Sequence, residues 1–169
     1  VTGNNRMPSS ASLAQYIPNR RNQGQQGSCV GWASAYAAHT IIEAKATGKN
    51  PNTTVFSPAF LYNQIKINNR CEGAYLINAL KVMKEIGSMP LAEFPYDERS
   101  CMREPAAGDK QKAVSYNNQI TAYTRLTMSG FDQTVNIDAI KQNLANGGPV
   151  VIGMMVPPSF ERLRTELWT

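Results

Sequence analysis

No stretch of this 169-residue chain holds the 18 or so consecutive apolar residues that a membrane-spanning helix needs. Cysteine is scarce, with three residues at positions 29, 71 and 101 and no C-x-x-C pair. Histidine is scarcer still: His39 is the only one. Three dispersed thiols and one imidazole do not make a zinc set, so neither a metal nor a cofactor is expected. Neither sign of charge dominates. Seventeen Lys and Arg against 12 Asp and Glu leave a net charge of +5. The basic residues are scattered and no nucleic-acid-binding motif occurs, so neither nucleic acid nor a membrane is expected as a partner.

What is present describes one globular domain. Apolar residues make up 42% and charged residues 17%, a balance that supports a core. An odd cysteine count suits one disulfide and one free thiol, which places the chain in an oxidising compartment: secreted, periplasmic or lysosome-like. Three unconnected thiols in a reducing cytosol are the alternative.

Residues 1–21 are polar and irregular and read as an extended arm. An alanine-rich helix is expected from about Ser28 to Lys45, stopped by Gly48 and apolar enough on most sides to be buried. Ser57-Pro58 is an N-cap followed by proline at the first helical position, opening a second helix to about Lys66. A third spans roughly Gly73 to Ile86, with Leu76, Ile77, Leu80 and Met83 on one face. Residues 88–113, with Pro90, Pro95, Pro105 and Gly108, read as one long irregular stretch. After it, residues 117–126 alternate as a strand does. Asn136 caps a short helix ended by Gly147-Gly148, and residues 149–156 form a continuous apolar run of the buried-strand kind. Helices first and strands after imply an α+β fold.

The segment with the most chemistry is "NQGQQGSCVGWASAYAAH", residues 22–39. It sets Cys29 where a flexible Gln/Gly turn becomes a helix. Partial positive charge at a helix start favours a thiolate. Gln23 lies across a turn softened by Gly24 and Gly27, so its amide can fold back beside the thiol. With the Cys29 backbone N–H it would supply two donors to a developing oxyanion. The unremarkable alternative is a small buried cysteine that begins a helix.

A resemblance favours the chemical reading. Asn22-Gln23-Gly24 followed by Gly27-Ser28-Cys29 is similar to the nucleophile region of the papain-like cysteine peptidases, which reads roughly N-Q-G-x-C-G-S-C-W. "SPAFLYNQ", "CEGAYLINALKVMKEIGSMPLAEFPYD" and "GGPVVIGMMV" resemble later family segments, in order. The resemblance implies Cys29 as nucleophile and Gln23 in the oxyanion hole, with a peptide or protein as substrate. It implies a papain-like fold: a helical half with a buried central helix over about residues 22–105, and an incomplete antiparallel sheet half beginning over about 113–169, together one domain. Gly73 and Ala74 then offer a backbone edge to a peptide. Tyr75 and Leu76 flank the pocket for the second residue before the scissile bond, and Gly153 lies on its floor. The family's cysteine three residues before the nucleophile is Gln26 here, so the resemblance implies that Cys71 pairs with Cys101 instead. The tryptophan expected directly after the nucleophile is Val30, with Trp32 two residues further.

The family's base is a histidine about 130–150 residues beyond the cysteine, a window that opens near residue 159 and runs past Thr169. His39 does not replace it. Ten helical residues place it about 15 Å along the axis from Cys29 and on another face. Helix-end electrostatics contribute only about 0.3–1 kcal/mol, too little to make a good nucleophile unaided. The expectation is therefore a papain-like domain that lacks its C-terminal part. A second chain, or that missing segment, would complete the sheet and supply the base. The other readings are a catalytically dead papain-fold module that binds a peptide or partner, and a related acyl-transfer enzyme.

Overall fold

The central helix begins where a backbone can come unusually close to its neighbour. A side chain at Gly31 would place its Cβ 2.7 Å from the Pro58 carbonyl oxygen and 3.0 Å from Tyr62 Cβ. Glycine alone lets the two helices meet at this distance. The computed structural model describes residues 7–116, 120–127 and 134–162. Its helices are α1 (Cys29–Gly31), a π-helical stretch (Trp32–His39), α2 (Thr40–Thr47), α3 (Pro58–Ile65), α4 (Leu76–Glu85), α5 (Ala107–Val114), α6 (Ile137–Ala145) and α7 (Pro158–Glu161). A single 3-10 turn, Ala14–Tyr16, interrupts the N-terminal arm.

The first three helical pieces run on without a break and form the expected central helix. Gly48 ends it in the left-handed conformation, donating its N–H to Ala44 O. Helix α3 starts as its residues dictate: Ser57 Oγ accepts a hydrogen bond from Phe60 N at 3.0 Å, with Pro58 at the first helical position. Nearly all of α3 is buried, including Phe60, Leu61 and Tyr62. Each such side chain contributes about 1.5–3 kcal/mol on burial. Ala35, Phe56, Leu61, Ile65, Ala79 and Met83 form the main core between the central helix, α3 and α4. A second cluster joins Ala59 and Phe60 to Met89, Phe94 and Ala113.

Three sequence expectations are corrected. Helix α4 begins at Leu76, not Gly73. Residues 73–75 are extended because Ala74 bridges antiparallel to Lys66. The irregular stretch after residue 88 ends earlier than expected, at α5. There Asp109 Oδ2 accepts from Ala106 N at 3.0 Å, a local cap that outweighs the helix-breaking tendency of Gly108. The expected strands are not formed. Residues 117–119 lie outside the described residues, and 120–126 make no ladder; Ile120 instead plugs the main core. Residues 150–156 are likewise not a strand, and most are exposed: Ile152 at 67%, Met155 at 91%. Among the described residues only three isolated bridges occur. A strand requires a neighbour for its N–H and C=O groups, and no described segment bridges to this one. The cap on α6 is as expected, Asn136 Oδ1 accepting from Ala139 N at 2.9 Å.

His39 is fully buried and stacks face to face on Phe56, with ring centroids 3.7 Å apart. Neither ring nitrogen has a hydrogen-bond partner of good geometry among the described residues. Burial lowers its pKa from 6.5 to about 4, and the nearby Tyr116 backbone pulls only weakly the other way. The neutral ring is thus the one the fold accepts. Between pH 6.5 and about 4 the unfolded chain binds a proton that the folded chain refuses, so this stabilisation is full above pH 6.5 and declines as pH falls. The total is roughly 3 kcal/mol. We expect urea midpoints measured between pH 7 and pH 4 to fall more steeply for the wild type than for His39→Leu. Parallel slopes would show that the ring takes up its proton in the folded state.

Candidate active site

The loop before the central helix has no regular structure, so its neighbours set its shape. Gly27 N donates to the Cys71 carbonyl at 2.8 Å. A Cβ on Gly27 would stand 2.6 Å from the Glu72 carbonyl carbon and 2.9 Å from Cys71 O, so this approach also requires glycine. On the other side Gln26 Nε2 donates to Asp97 O at 3.1 Å. The Tyr96 hydroxyl donates to Gln23 O and also bonds Ser28 Oγ, each at 2.7 Å. The Tyr96 ring meets Trp32 edge-on at 5.0 Å, and Trp32 in turn packs against Tyr36 at 4.9 Å. Tyr36 fastens the N-terminal arm by donating to Asn19 O at 2.7 Å.

Cys29 emerges from this frame as an exposed free thiol at the first position of the helix, directly after the fully buried Ser28. Gln23 is half-buried, and its Nε2 donates to Gln26 O at 3.0 Å. The same carbonyl accepts the Ser28 N–H at 2.8 Å, so one oxygen anchors both the amide and the residue that precedes the thiol. A side-chain amide carries two N–H donors. One is held, which leaves the other for an incoming oxygen. The loop thus leads from a braced side-chain amide to an exposed free thiol at the helix start.

Tyr62 underlies the site. Its hydroxyl accepts the Gly73 N–H at 3.2 Å. Burial raises its pKa above that of an ordinary phenol; the Gly73 bond opposes this, while Tyr96, Cys29 and Glu72 nearby add to the rise. Gly73 O accepts from Ile67 N at 3.0 Å, so both backbone groups of Gly73 are occupied. That hydrogen bond makes Lys66–Ala74 the non-hydrogen-bonded pair of the bridge, so the N–H and C=O of Ala74 face the opposite side. The free edge therefore belongs to Ala74 and not to Gly73. Tyr75 is 63% exposed beside it and Leu76 half-buried. Gly153 lies in the exposed apolar segment with open space around its Cα. No hydrogen bond, ion pair or ring contact among the described residues ties it to Cys29 or Gln23.

Cys71 and Cys101 form a disulfide with Cα atoms 5.8 Å apart. Its consequence reaches the site, because Cys71 is the residue whose carbonyl seats Gly27. Cys71 sits at φ 60°, a left-handed conformation that costs a non-glycine residue roughly 1–2 kcal/mol. Tyr96, Ser28 and Tyr62 went unread as site residues in the sequence. Tyr96 lies within the "EFPYD" segment that carried the resemblance, but nothing local says that its hydroxyl returns to the loop some 70 positions earlier. Among the described residues no group of three or more His, Cys, Asp or Glu gathers to hold a metal, and no helix is long and apolar enough to cross a membrane.

An exposed free cysteine at the start of a buried helix, with a braced amide side chain on the preceding loop, has the groups that thiol-dependent acyl transfer requires. The model for the papain family cysteine proteases matches residues 7–165, and the chain belongs to that family. It is 32% identical over 113 residues to a cathepsin L-like proteinase of Phaedon cochleariae, covering 64% of this chain and 32% of that protein. It is 28% identical over 142 residues to cathepsin K of Mus musculus, covering 82% and 38%. It is 27% identical over 150 residues to cathepsin K of Gallus gallus, covering 86% and 40%. The chain thus spans about a third to two fifths of the length of these relatives.

The disulfide closes a loop 30 residues apart in sequence. Holding a loop of that size removes roughly 3–4 kcal/mol of freedom from the unfolded chain. Cys101→Ser should therefore lower the unfolding free energy by about that amount, measured by urea titration. Thiol reductant should shift the wild-type midpoint toward the variant's and leave the variant's own midpoint in place.

Proposed function

We propose that the protein to which this chain belongs is a cysteine-type endopeptidase in which Cys29 forms an acyl-enzyme with a peptide substrate. The observation that carries this reading is the exposed free thiol of Cys29 at the helix start, supported by the Gln23 amide braced on the loop before it. An acid–base group takes the proton from Cys29 Sγ, and the thiolate attacks the scissile carbonyl carbon, forming a C–S bond while the carbonyl π electrons move onto oxygen. Gln23 Nε2 and the Cys29 backbone N–H hold that oxyanion. Its collapse expels the amine, which takes a proton from a general acid, and water activated by the same group then releases the acid product.

These 169 residues contain one histidine, and it is buried against Phe56 ten positions along the helix. The acid–base group is therefore supplied from outside them, by further protein or by a second chain, and this chain alone is inactive. In this reading residues 22–105 form the helical half, and 113–169 begin a sheet half that pairs only once the remaining strands are present. The exposed apolar run around Ile152–Val156 supports it. Ala74 offers its backbone edge to an extended peptide, with Gly73 behind it. Tyr75, Leu76 and Gly153 shape a pocket for a bulky apolar side chain. The disulfide and the cathepsin relatives support a secreted or lysosome-like location.

The buried single histidine favours one second reading, a papain-fold module that binds a peptide without cutting it. Hydrolysis of fluorogenic peptides by the full-length protein separates the two. Cys29→Ala should reduce its turnover by at least about a thousandfold. Residues 1–169 alone should neither cleave nor react quickly with a peptidyl epoxide. Binding of peptide by the full-length protein without cleavage would establish the module. Fast, pH-insensitive epoxide labelling of the 169-residue piece would mean that a base lies within it.

A further inference from the structure

The Tyr96 hydroxyl has two hydrogen-bond neighbours, and counting protons fixes their sense. It donates its only hydrogen to Gln23 O at 2.7 Å. The 2.7 Å contact with Ser28 must then run the other way, Ser28 Oγ–H donating to Tyr96 Oη. The result is a one-directional chain, Ser28 to Tyr96 to the Gln23 carbonyl, in which each bond polarises the next. Its two ends are not arbitrary. Gln23 carries the side-chain amide of the oxyanion site, and Ser28 is joined through its peptide bond to the Cys29 N–H, the other donor. Four residues of irregular loop separate them, and one phenol braces both. The phenol is itself held: its ring packs edge-on against Trp32 at an interplanar angle of 75°, and the next residue, Asp97, accepts the Gln26 amide.

We propose that Tyr96 is a positioning residue for the oxyanion site, its hydroxyl setting the separation and orientation of the Gln23 amide and the Cys29 N–H. It touches neither thiol nor substrate in this role, and it acts through the two residues it holds. The inference rests on the peptidase reading above. Losing the hydroxyl leaves the Gln23 carbonyl and the Ser28 hydroxyl to find other partners. The loop then relaxes by a fraction of an ångström, enough to misplace donors that act only on the transition state.

The test is made on the full-length protein. Tyr96→Phe removes one oxygen and keeps the ring against Trp32. Its kcat should fall roughly tenfold to a hundredfold while KM stays within about twofold, the pattern of an interaction that matters only in the transition state. Alkylation of Cys29 by iodoacetamide builds no oxyanion, so its rate should stay within about twofold of wild type. In a Gln23→Ala background the same Tyr96→Phe change should cost less than about threefold in kcat, because one of the two donors whose separation it sets is already gone.

A Tyr96→Phe variant that keeps wild-type kcat overturns the proposal, as does one whose alkylation rate drops in step with kcat, since the thiol itself would then be disturbed. If that variant does not fold, Ser28→Ala breaks the first link of the chain. A severalfold lower kcat with unchanged alkylation supports the proposal, and wild-type kcat overturns it. Failure of the wild type itself to cleave any peptide would instead bring down the peptidase reading and this inference with it.

Discussion

The hydrogen bond between Gly27 N and the Cys71 carbonyl is the contact on which the rest of the site depends. It joins an irregular loop to a residue that is covalently tied to Cys101. A loop with no ladder of its own has nothing else to fix its height above the core. Once Gly27 is seated, Ser28 is buried, and the chain can enter the central helix only with Cys29 at the surface. A side chain at position 27 would meet backbone on the opposing segment, which cannot yield as the end of a flexible side chain can. The steric condition and the hydrogen bond thus point the same way, a local agreement of the kind that gives a unique structure.

The seat is rigid because what lies beneath it is dry and closely packed. Helix α3 is buried on almost every side, and Gly31 lets the central helix lie against Pro58 with no side chain between them. Tyr62 reaches from this core to Gly73, and Trp32 reaches from the central helix to Tyr96. Each segment that frames the thiol is thus anchored by an aromatic side chain rooted in the helices. The C-terminal residues show the opposite balance. There the side chains of Ile152, Met154 and Met155 are exposed, and among the described residues no helix covers them. Their backbone has the composition of a strand, but a strand is stabilised by its neighbours and not by its own residues.

That contrast explains what could be read in advance. The helix starts at Ser57 and Asn136 and the stop at Gly48 follow from side chains acting within four residues, and all three occur as expected. The place of Cys29 at the start of the central helix follows in the same way from the local Gln/Gly turn before it. The errors arose where distant contacts decide. Residues 73–75 are extended because Lys66 lies beside Ala74, and Ile120 enters the core where a strand was expected. Helix α5 forms despite Gly108 because Asp109 caps its start, a contact that the proline- and glycine-rich composition of the stretch hides. The place of Tyr96 depends on hydrogen bonds to residues 68 and 73 positions away, a separation at which no residue pattern is informative.

The position of His39 bears on how catalysis must be organised. The stretch between Cys29 and His39 is largely π-helical, a geometry that widens the turn and is often found near functional sites. Angular reasoning from an α-helix therefore does not apply to it, yet the outcome is the same. The imidazole is stacked on Phe56 in the core while the thiol faces solvent. Burial holds that imidazole neutral near pH 7 and denies it any exchange of protons with a substrate. In the proposed peptidase the helical half supplies the nucleophile and the oxyanion donors and leaves proton transfer to a group carried elsewhere. Two catalytic parts on separate pieces of structure must be brought together within about half an ångström to act in one step. An oxyanion loop free to drift would undo any such alignment, however well the base were placed. A peptidase that divides its catalytic groups in this way needs its loop braced at both ends, and under the proposed function the Ser28–Tyr96–Gln23 hydrogen bonds are the part of the structure placed to do it.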